Sequence, residues 1–323
     1  MKKTIWILLD NRNGSRSQAL GVANQLDKNL FEIITKEIKY TKLAALPNFI
    51  RAKTLIGLTK DSKTLFQAPF PNFVLSSSRR TAPVARFIKK QNPTTKLIQL
   101  LHIGKSGVKE FSAVYVPEHD RNKFSAPNIK YTTGSPHFVT AEKLLTAKQT
   151  WQDKFAHLPR PLTALIIGGA IKKHPFSLKN AELLADKVFA LKQTQGGSLL
   201  ITTSRRTGKA AEDKIISRLN TIPSYTYLWG NKGDNPYLGF LACADNLIVT
   251  GDSVSMCCEA TATNKPLQIF TGTDWLTKKH LRFVQSLYEQ KYAEELSDTP
   301  PQNISVKPLN IAKQIADDIK NLI

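Results

Sequence analysis

Short apolar runs alternate with helical patterns along almost the whole chain, and that alternation admits few folds. Residues 5–9 read as a strand, and residues 18–26 as a helix with Leu20, Ala23 and Leu26 on one face. Residues 73–75, 96–101 and 113–116 read as further strands, with a helix over 83–90 among them. Strands separated by helical crossovers pair in parallel, so the pattern implies an α/β protein with a doubly wound parallel sheet.

The alternation restarts after His157-Leu158-Pro159-Arg160-Pro161, where two prolines with polar flanks break a helical stretch. A buried strand over 162–167 follows, then a helix over 178–193, a strand over 198–202 and a helix over 209–219. Residues 240–244 lead into a strand over 247–249, a helix near 255–263 and a strand over 266–270. A chain of 323 residues and 36.0 kDa has room for two such domains. The expected division is 1–158, 159–307 and a terminal helix over 308–323 that carries Leu309, Ala312, Ile315, Ile319 and Leu322 on one face.

Charge narrows the partners. Lys and Arg number 46 against 25 Asp and Glu, a net charge of +21, which favours nucleic acid, phosphorylated metabolites or an acidic membrane surface. No helix-turn-helix or RNP-like pattern appears, so nucleic acid is not expected. Cys243, Cys257 and Cys258 lack ligand spacing and form no even set, so they read as reduced core residues with no metal. The apolar stretch after Met1-Lys2-Lys3 ends at Asp10, too short for a signal segment, and no window is long enough to span a membrane. A cytoplasmic protein, peripheral at most, is expected.

The candidate site residues lie in loops that follow strands, where open α/β sheets bind ligands. Thr250-Gly251-Asp252-Ser253-Val254-Ser255 ends a strand and starts a helix, and Asp or Ser there caps it while leaving N–H groups at the positive end of its dipole. Glu259, one turn beyond Ser255, is placed to accept hydrogen bonds from ribose; a plain capped helix with an incidental Glu has the same pattern. Gly168-Gly169, followed by Lys172, permits close backbone approach or simply a tight turn. Ser204-Arg205-Arg206-Thr207 offers hydroxyls and guanidinium groups to phosphate, or is a solvated basic loop. Ser76-Ser77-Ser78-Arg79-Arg80-Thr81 repeats that character in the first half. Glu118-His119-Asp120 gathers three groups suited to proton transfer, or is a polar turn. Asp10 to Ser15 carries no G-x-G-x-x-G fingerprint.

These residues resemble a known group. Gln18-Ala19-Leu20-Gly21, Pro117-Glu118-His119-Asp120, Gly168-Gly169, Thr203 to Thr207, Asp234-Asn235-Pro236-Tyr237, Thr250 to Met256, Glu259-Ala260 and Lys265-Pro266 are similar to the plant mitochondrial-fission factor family, named for an elongated-mitochondria phenotype, and its bacterial homologues. The likeness runs nearly the whole length, and Asp-Ser-Val-Ser-Met and Ser-Arg-Arg-Thr are its most specific segments. It implies a GT-B-like fold: two Rossmann-like doubly wound domains facing a cleft, the first taking an acceptor and the second a nucleotide-sugar. It further implies that Gly168, Gly169, Lys172, Ser204, Arg205, Arg206, Asp252, Ser253, Ser255 and Glu259 hold a UDP-sugar or similar donor. Gly14, Gln18, Ser78 and Arg79 would face the acceptor, and Glu118, His119, Asp120 or Asp10 would supply the proton-accepting group. No cofactor and no metal is required by the resemblance. The implied activity is glycosyl transfer to an envelope glycan or glycolipid; the alternative is a non-catalytic adaptor on an anionic membrane surface. Asn264 stands where the family has Gly, and Asn tolerates left-handed geometry.

Overall fold

The computed structural model describes residues 1–121, 124–301 and 308–323. The chain divides into two compact units, one formed by Met1–Phe138 with Asn310–Ile323 and the other by Val139–Leu309.

The first unit opens with β1 (Lys3–Leu9), α1 (Asn13–Gln25) and β2 (Phe31–Glu37). Two single-turn helices, α2 (Asn48–Arg51) and α3 (Lys60–Lys63), precede β3 (Phe73–Ser77), α4 (Ala82–Gln91), β4 (Lys96–Leu100), β5 (Ala113–Pro117) and β6 (Ile129–Thr132). All six strands pair in parallel in the order β2-β1-β3-β4-β5-β6. A parallel sheet covered on both faces needs strands apolar throughout, and β3 and β5 are buried at every position. Trp6, Leu8, Val74, Leu97, Val114 and Ile88 belong to the core on one face.

The second unit runs α5 (Ala141–Phe155), β7 (Leu162–Ile167), α6 (Leu178–Gln195), β8 (Ser198–Thr203), α7 (Lys209–Leu219) and β9 (Ser224–Tyr227). It continues through α8 (Tyr237–Cys243), β10 (Asn246–Thr250), α9 (Val254–Thr261), β11 (Leu267–Phe270), α10 (Lys278–Glu289) and the two-residue β12 (Glu294–Glu295). Its parallel order is β12-β11-β10-β7-β8-β9. β7 is entirely buried at the centre, with Leu184, Val188, Leu199, Ile215 and Trp275 in the core beside it.

The division falls at Phe138 and Val139 rather than at the Pro159–Pro161 break. The reason is aromatic packing at α5. Trp151 stacks on Phe155 with ring centroids 5.9 Å apart, and Phe155 meets Tyr225 and Phe240. A Cβ on Gly239 would lie 2.4 Å from the Trp151 indole, so α8 approaches α5 closely enough to require glycine there. At the other end of the chain, α11 (Ile311–Lys320) lies with the first unit and packs on α1. Ile311, Ala312, Ile315, Ala316 and Ile319 are its buried stripe, and Asp318 accepts hydrogen bonds from Tyr115 (2.7 Å) and Lys130 (2.8 Å).

Most of the expected elements are present within two or three residues of their anticipated ends. β2, α2, α3, β6, β9, α10 and β12 are not among the elements expected from the sequence. β2 (FEIITKE) and β9 (SYTY) are half-buried strands that mix charged or polar residues with apolar ones. Asn264 takes φ +54°, the left-handed geometry anticipated for that position. The three cysteines are buried, and none forms a disulfide among the described residues.

Candidate functional site

Each sheet reverses its strand order once, and in open α/β sheets the carboxyl ends of the strands at that point are where ligands bind. In the second unit the reversal lies between β7 and β10. The residues that close those two strands are Gly168-Gly169 and Gly251-Asp252-Ser253.

Asp252 organises this end of the sheet. Its side chain is fully buried and accepts a hydrogen bond from the Gly169 N–H (2.8 Å) and an ion pair from Arg206 (2.7 Å). Burial pushes its carboxyl above the usual carboxylate range, against the pull of the Arg206 guanidinium. The Gly168 N–H donates to Thr250 Oγ1 (2.7 Å), and the Gly168 carbonyl accepts from Thr207 Oγ1 (2.6 Å) and from Ser204. The Gly169 carbonyl accepts from the Trp275 indole (3.2 Å). Every polar backbone group of the two glycines is therefore used inside the protein. Their glycine identity follows from packing: a Cβ on Gly168 would lie 2.2 Å from the Asp252 carboxylate, and one on Gly169 would lie 2.1 Å from the Arg206 backbone. Gly168, Gly169, Ser204, Arg206 and Asp252 form one lock that ties three strand ends together.

The groups turned outward differ. Ser253 caps α9 through Met256 N (3.5 Å), which leaves the first N–H groups of that helix at its positive end. Ser255 and Arg205 are exposed, and no hydrogen bond or ion pair is formed by the Arg205 side chain among the described residues. Lys172 is exposed on a positive-φ turn (φ +49°). Glu259, on the next turn of α9, is only 7% exposed and accepts a hydrogen bond from Tyr237 Oη (2.5 Å). Burial pushes the Glu259 carboxyl up to about 7, with Tyr237 pulling the other way. Tyr237 opens α8, and its N–H is held by Asn235 Oδ1 (3.0 Å), which gives the Asp234–Tyr237 loop a structural role. Tyr237 and Glu259 are 22 residues apart, so no local sequence pattern shows the pair.

In the first unit the reversal lies between β1 and β3. Asp10 is 1% exposed and saturated: it pairs with Arg80 and accepts from Ser78 Oγ (2.6 Å) and the Arg12 N–H (3.1 Å). Ser78 takes φ +93°, a conformation L-residues avoid, to make that contact. Arg80 lies over the Tyr40 ring at 4.5 Å, and Arg79 donates to the Leu46 (3.0 Å) and Ala45 (3.3 Å) carbonyls. Gln18, on α1, is buried, and its Oε1 has no hydrogen-bond partner among the described residues. Gly14 is exposed in the first turn of α1, and a Cβ there would meet nothing within 4 Å. Glu118, His119 and Asp120 form a 3-10 turn after β5. Glu118 pairs with Arg121 (2.7 Å), and His119 is buried with Nε2 3.9 Å from Asp120. Three strand spacings, about 14 Å, separate this turn from Asp10. The two groups of candidate proton acceptors are therefore not one cluster.

The sequence profile described as Mitochondrial fission ELM1 matches residues 13–323. The chain belongs to that family. It is 31% identical to the protein RP120 of Rickettsia prowazekii (strain Madrid E), across 98% of this chain and 97% of that one. It is 26% identical to the mitochondrial fission protein ELM1 of Arabidopsis thaliana, across 82% of this chain and 66% of the plant protein. Among solved structures, the UDP-GlcNAc 2-epimerase of Methanocaldococcus jannaschii superposes with a TM-score of 0.57 at 10% identity, over 99% of each chain. At that identity the likeness is one of fold, and this ELM1-family chain has the two Rossmann-like sheets of the glycosyltransferase-like GT-B class. Among the described residues, no helix is long and apolar enough to cross a membrane.

Proposed function

We propose that this protein transfers a sugar from a nucleotide-sugar to a hydroxyl of an envelope glycan or glycolipid. The observation that carries the reading is the strand reversal between β7 and β10. There a locked, close-packed floor of Gly168, Gly169 and Asp252 adjoins the open start of α9. Unused N–H groups at the start of α9, with Ser255, suit a diphosphate, and exposed Arg205 and Lys172 add positive charge. Glu259, held by Tyr237, accepts hydrogen bonds from the ribose. The UDP-GlcNAc named for the Methanocaldococcus structure makes UDP the natural first nucleotide to try.

The first unit supplies the acceptor side through the exposed Gly14 and Arg79, with Gln18 and Ser78 buried beneath them. In the transfer, the acceptor oxygen bonds to the anomeric carbon. The bond from that carbon to the diphosphate breaks, and its electron pair leaves with the nucleoside diphosphate. The hydroxyl proton passes to a carboxylate. Asp120 suits that role, because Asp10 is saturated by Arg80 and Ser78 while Glu118 is held by Arg121. His119, with Nε2 3.9 Å from the Asp120 carboxylate, is the next group to which that proton can pass. Helix dipoles and cationic side chains offset the diphosphate charge on departure.

Calorimetric titration with UDP tests the donor half. Binding that weakens in Glu259→Ala and Arg205→Ala supports the reading. No binding at millimolar UDP, together with an unchanged Glu259→Ala protein, would sink it and leave the adaptor reading standing.

A further inference from the structure

Segment 38–60 of the first unit has a composition unlike its surroundings. No acidic residue lies between Glu37 and Asp61, while Lys39, Lys42, Arg51, Lys53 and Lys60 all do. Large apolar side chains in the same segment face solvent: Phe49 is 71% exposed, Leu43 55%, Ile50 50% and Ile56 41%. Single exposed apolar residues are ordinary, but four between positions 43 and 56 of one basic segment are an unusual concentration, of the kind found at interaction surfaces.

The same segment holds an uncompensated cation. Arg51 is fully buried, its Nε donates to the Ile56 carbonyl (3.0 Å), and neither of its Nη groups has a partner among the described residues. Removing an unpaired charge from water costs several kcal/mol, so a buried guanidinium without a carboxylate calls for an anion. Arg79 and Arg80 are near enough to repel it. Asp10, which pairs with Arg80, is already saturated.

A cavity of about 600 Å³ is lined by Asn48, Phe49, Arg79, Gly104, Lys105 and Ser106 among others; Arg51 lies outside its lining and adds positive charge from the same helix as Asn48 and Phe49. No lining residue is acidic. Asn48 is 94% buried, and both ends of its side-chain amide lack a partner among the described residues. Phe49 belongs both to the cavity wall and to these exposed apolar residues, so a ligand seated there touches positive charge on one side and emerges among apolar side chains on the other.

We propose that this cavity binds the phosphate headgroup of a membrane lipid, with Leu43, Phe49, Ile50 and Ile56 entering the lipid layer around it. Asn48, Arg79 and Lys105 hold the phosphate oxygens. The apolar collar selects a lipid-borne phosphate over a free one, and the basic, acid-free segment complements an anionic surface. The proposal rests on the transfer reading only for what the lipid is used for, an acceptor presented to the first unit; the pocket itself does not depend on it.

Vesicle flotation of the full chain tests the proposal, with phosphatidylcholine vesicles compared against vesicles that also carry phosphatidic acid. The chain is expected to float with the second and not the first. Flotation is expected to fall at least about tenfold in the Phe49→Glu, Ile50→Glu double variant, since each apolar side chain withdrawn from lipid costs more than a kcal/mol. Asn48→Leu, which keeps the apolar collar, is expected to lose the preference for phosphatidic acid. Melting temperature and UDP titration of the same samples show whether the variants remain folded. Three results overturn the proposal: no flotation with phosphatidic acid; flotation of the double variant equal to that of the parent, which assigns binding to diffuse charge; or inorganic pyrophosphate bound as tightly as the vesicles, which assigns the pocket to a free phosphate. Flotation as expected with no UDP binding leaves the pocket in place and removes the donor reading.

Discussion

The two strand reversals are built from the same parts and balanced differently. In the second unit one buried carboxylate, Asp252, is matched by one guanidinium, Arg206, and by the Gly169 N–H. In the first unit one buried carboxylate, Asp10, is matched by Arg80 while Arg51 is left buried without a counter-charge. In the second unit the charges are matched within the protein, although Asp252 Oδ1 is buried with no hydrogen-bond partner among the described residues. An unbalanced cluster stores a demand for an anion. The comparison teaches that phosphate affinity in this fold need not sit on the glycines and carboxylates that draw the eye in the sequence, because those are spent on holding the strand ends together.

The largest expected effect breaks the balanced lock. Asp252→Ala leaves Arg206 unpaired and the Gly169 N–H buried without an acceptor, and should cost about 4 kcal/mol in urea denaturation. A loss under about 1 kcal/mol would mean that the lock does not hold the three strand ends.

Next comes the pH dependence of Glu259. Its folded pKa of about 7 stands above the ordinary 4.5, so the folded state holds the proton more tightly than the unfolded chain. The stability it contributes is full below about pH 4.5 and is lost as pH rises through about 7, on the order of 3 kcal/mol in all. Glu259→Gln should remove that part of the pH profile and be the more stable protein at pH 8, which parallel denaturation curves at pH 5 and pH 8 measure. An identical slope in the two proteins would contradict the assignment.

Two glycines sharpen the contrast. Gly169→Ala should cost roughly 2 kcal/mol or more, since its φ of +142° and the Arg206 backbone both reject a side chain. Gly14→Ala, with open space around it, should be neutral or stabilising by about 0.5 kcal/mol. Thermal melts of the pair suffice. A similarly small effect is expected on the unbalanced side: Arg51→Met replaces an unpaired buried cation by an apolar side chain and should leave stability within about 1 kcal/mol of the parent or raise it. A loss of several kcal/mol would show that Arg51 is already satisfied.

The alternation of elements was legible because the central strands are largely apolar and buried at every position, as in Leu162–Ile167 with Thr163 its one polar residue, and because capped helices such as α9 announce their starts. The outer strands were not, since β2 and β9 mix charged or polar residues with apolar ones and β12 is two residues long. The site was legible as a set of loops after strands but not as a set of roles. Gly168, Asp252 and Arg206 read as ligand contacts, yet long-range partners use them internally: Gly168 and Asp252 are 84 positions apart, and Arg206 lies between. Tyr237 with Glu259, Trp275 with Gly169, and the buried Arg51 have no local signature, because each depends on a pairing, or a missing one, that only the folded chain displays.

The donor half is reached most directly by calorimetric titration of the full chain with UDP, run side by side on the parent and on Glu259→Gln. The account predicts submillimolar UDP binding in the parent, about tenfold weaker in the variant and not weakened when deoxy-UDP replaces UDP there. Heat indistinguishable from dilution in the parent would contradict it.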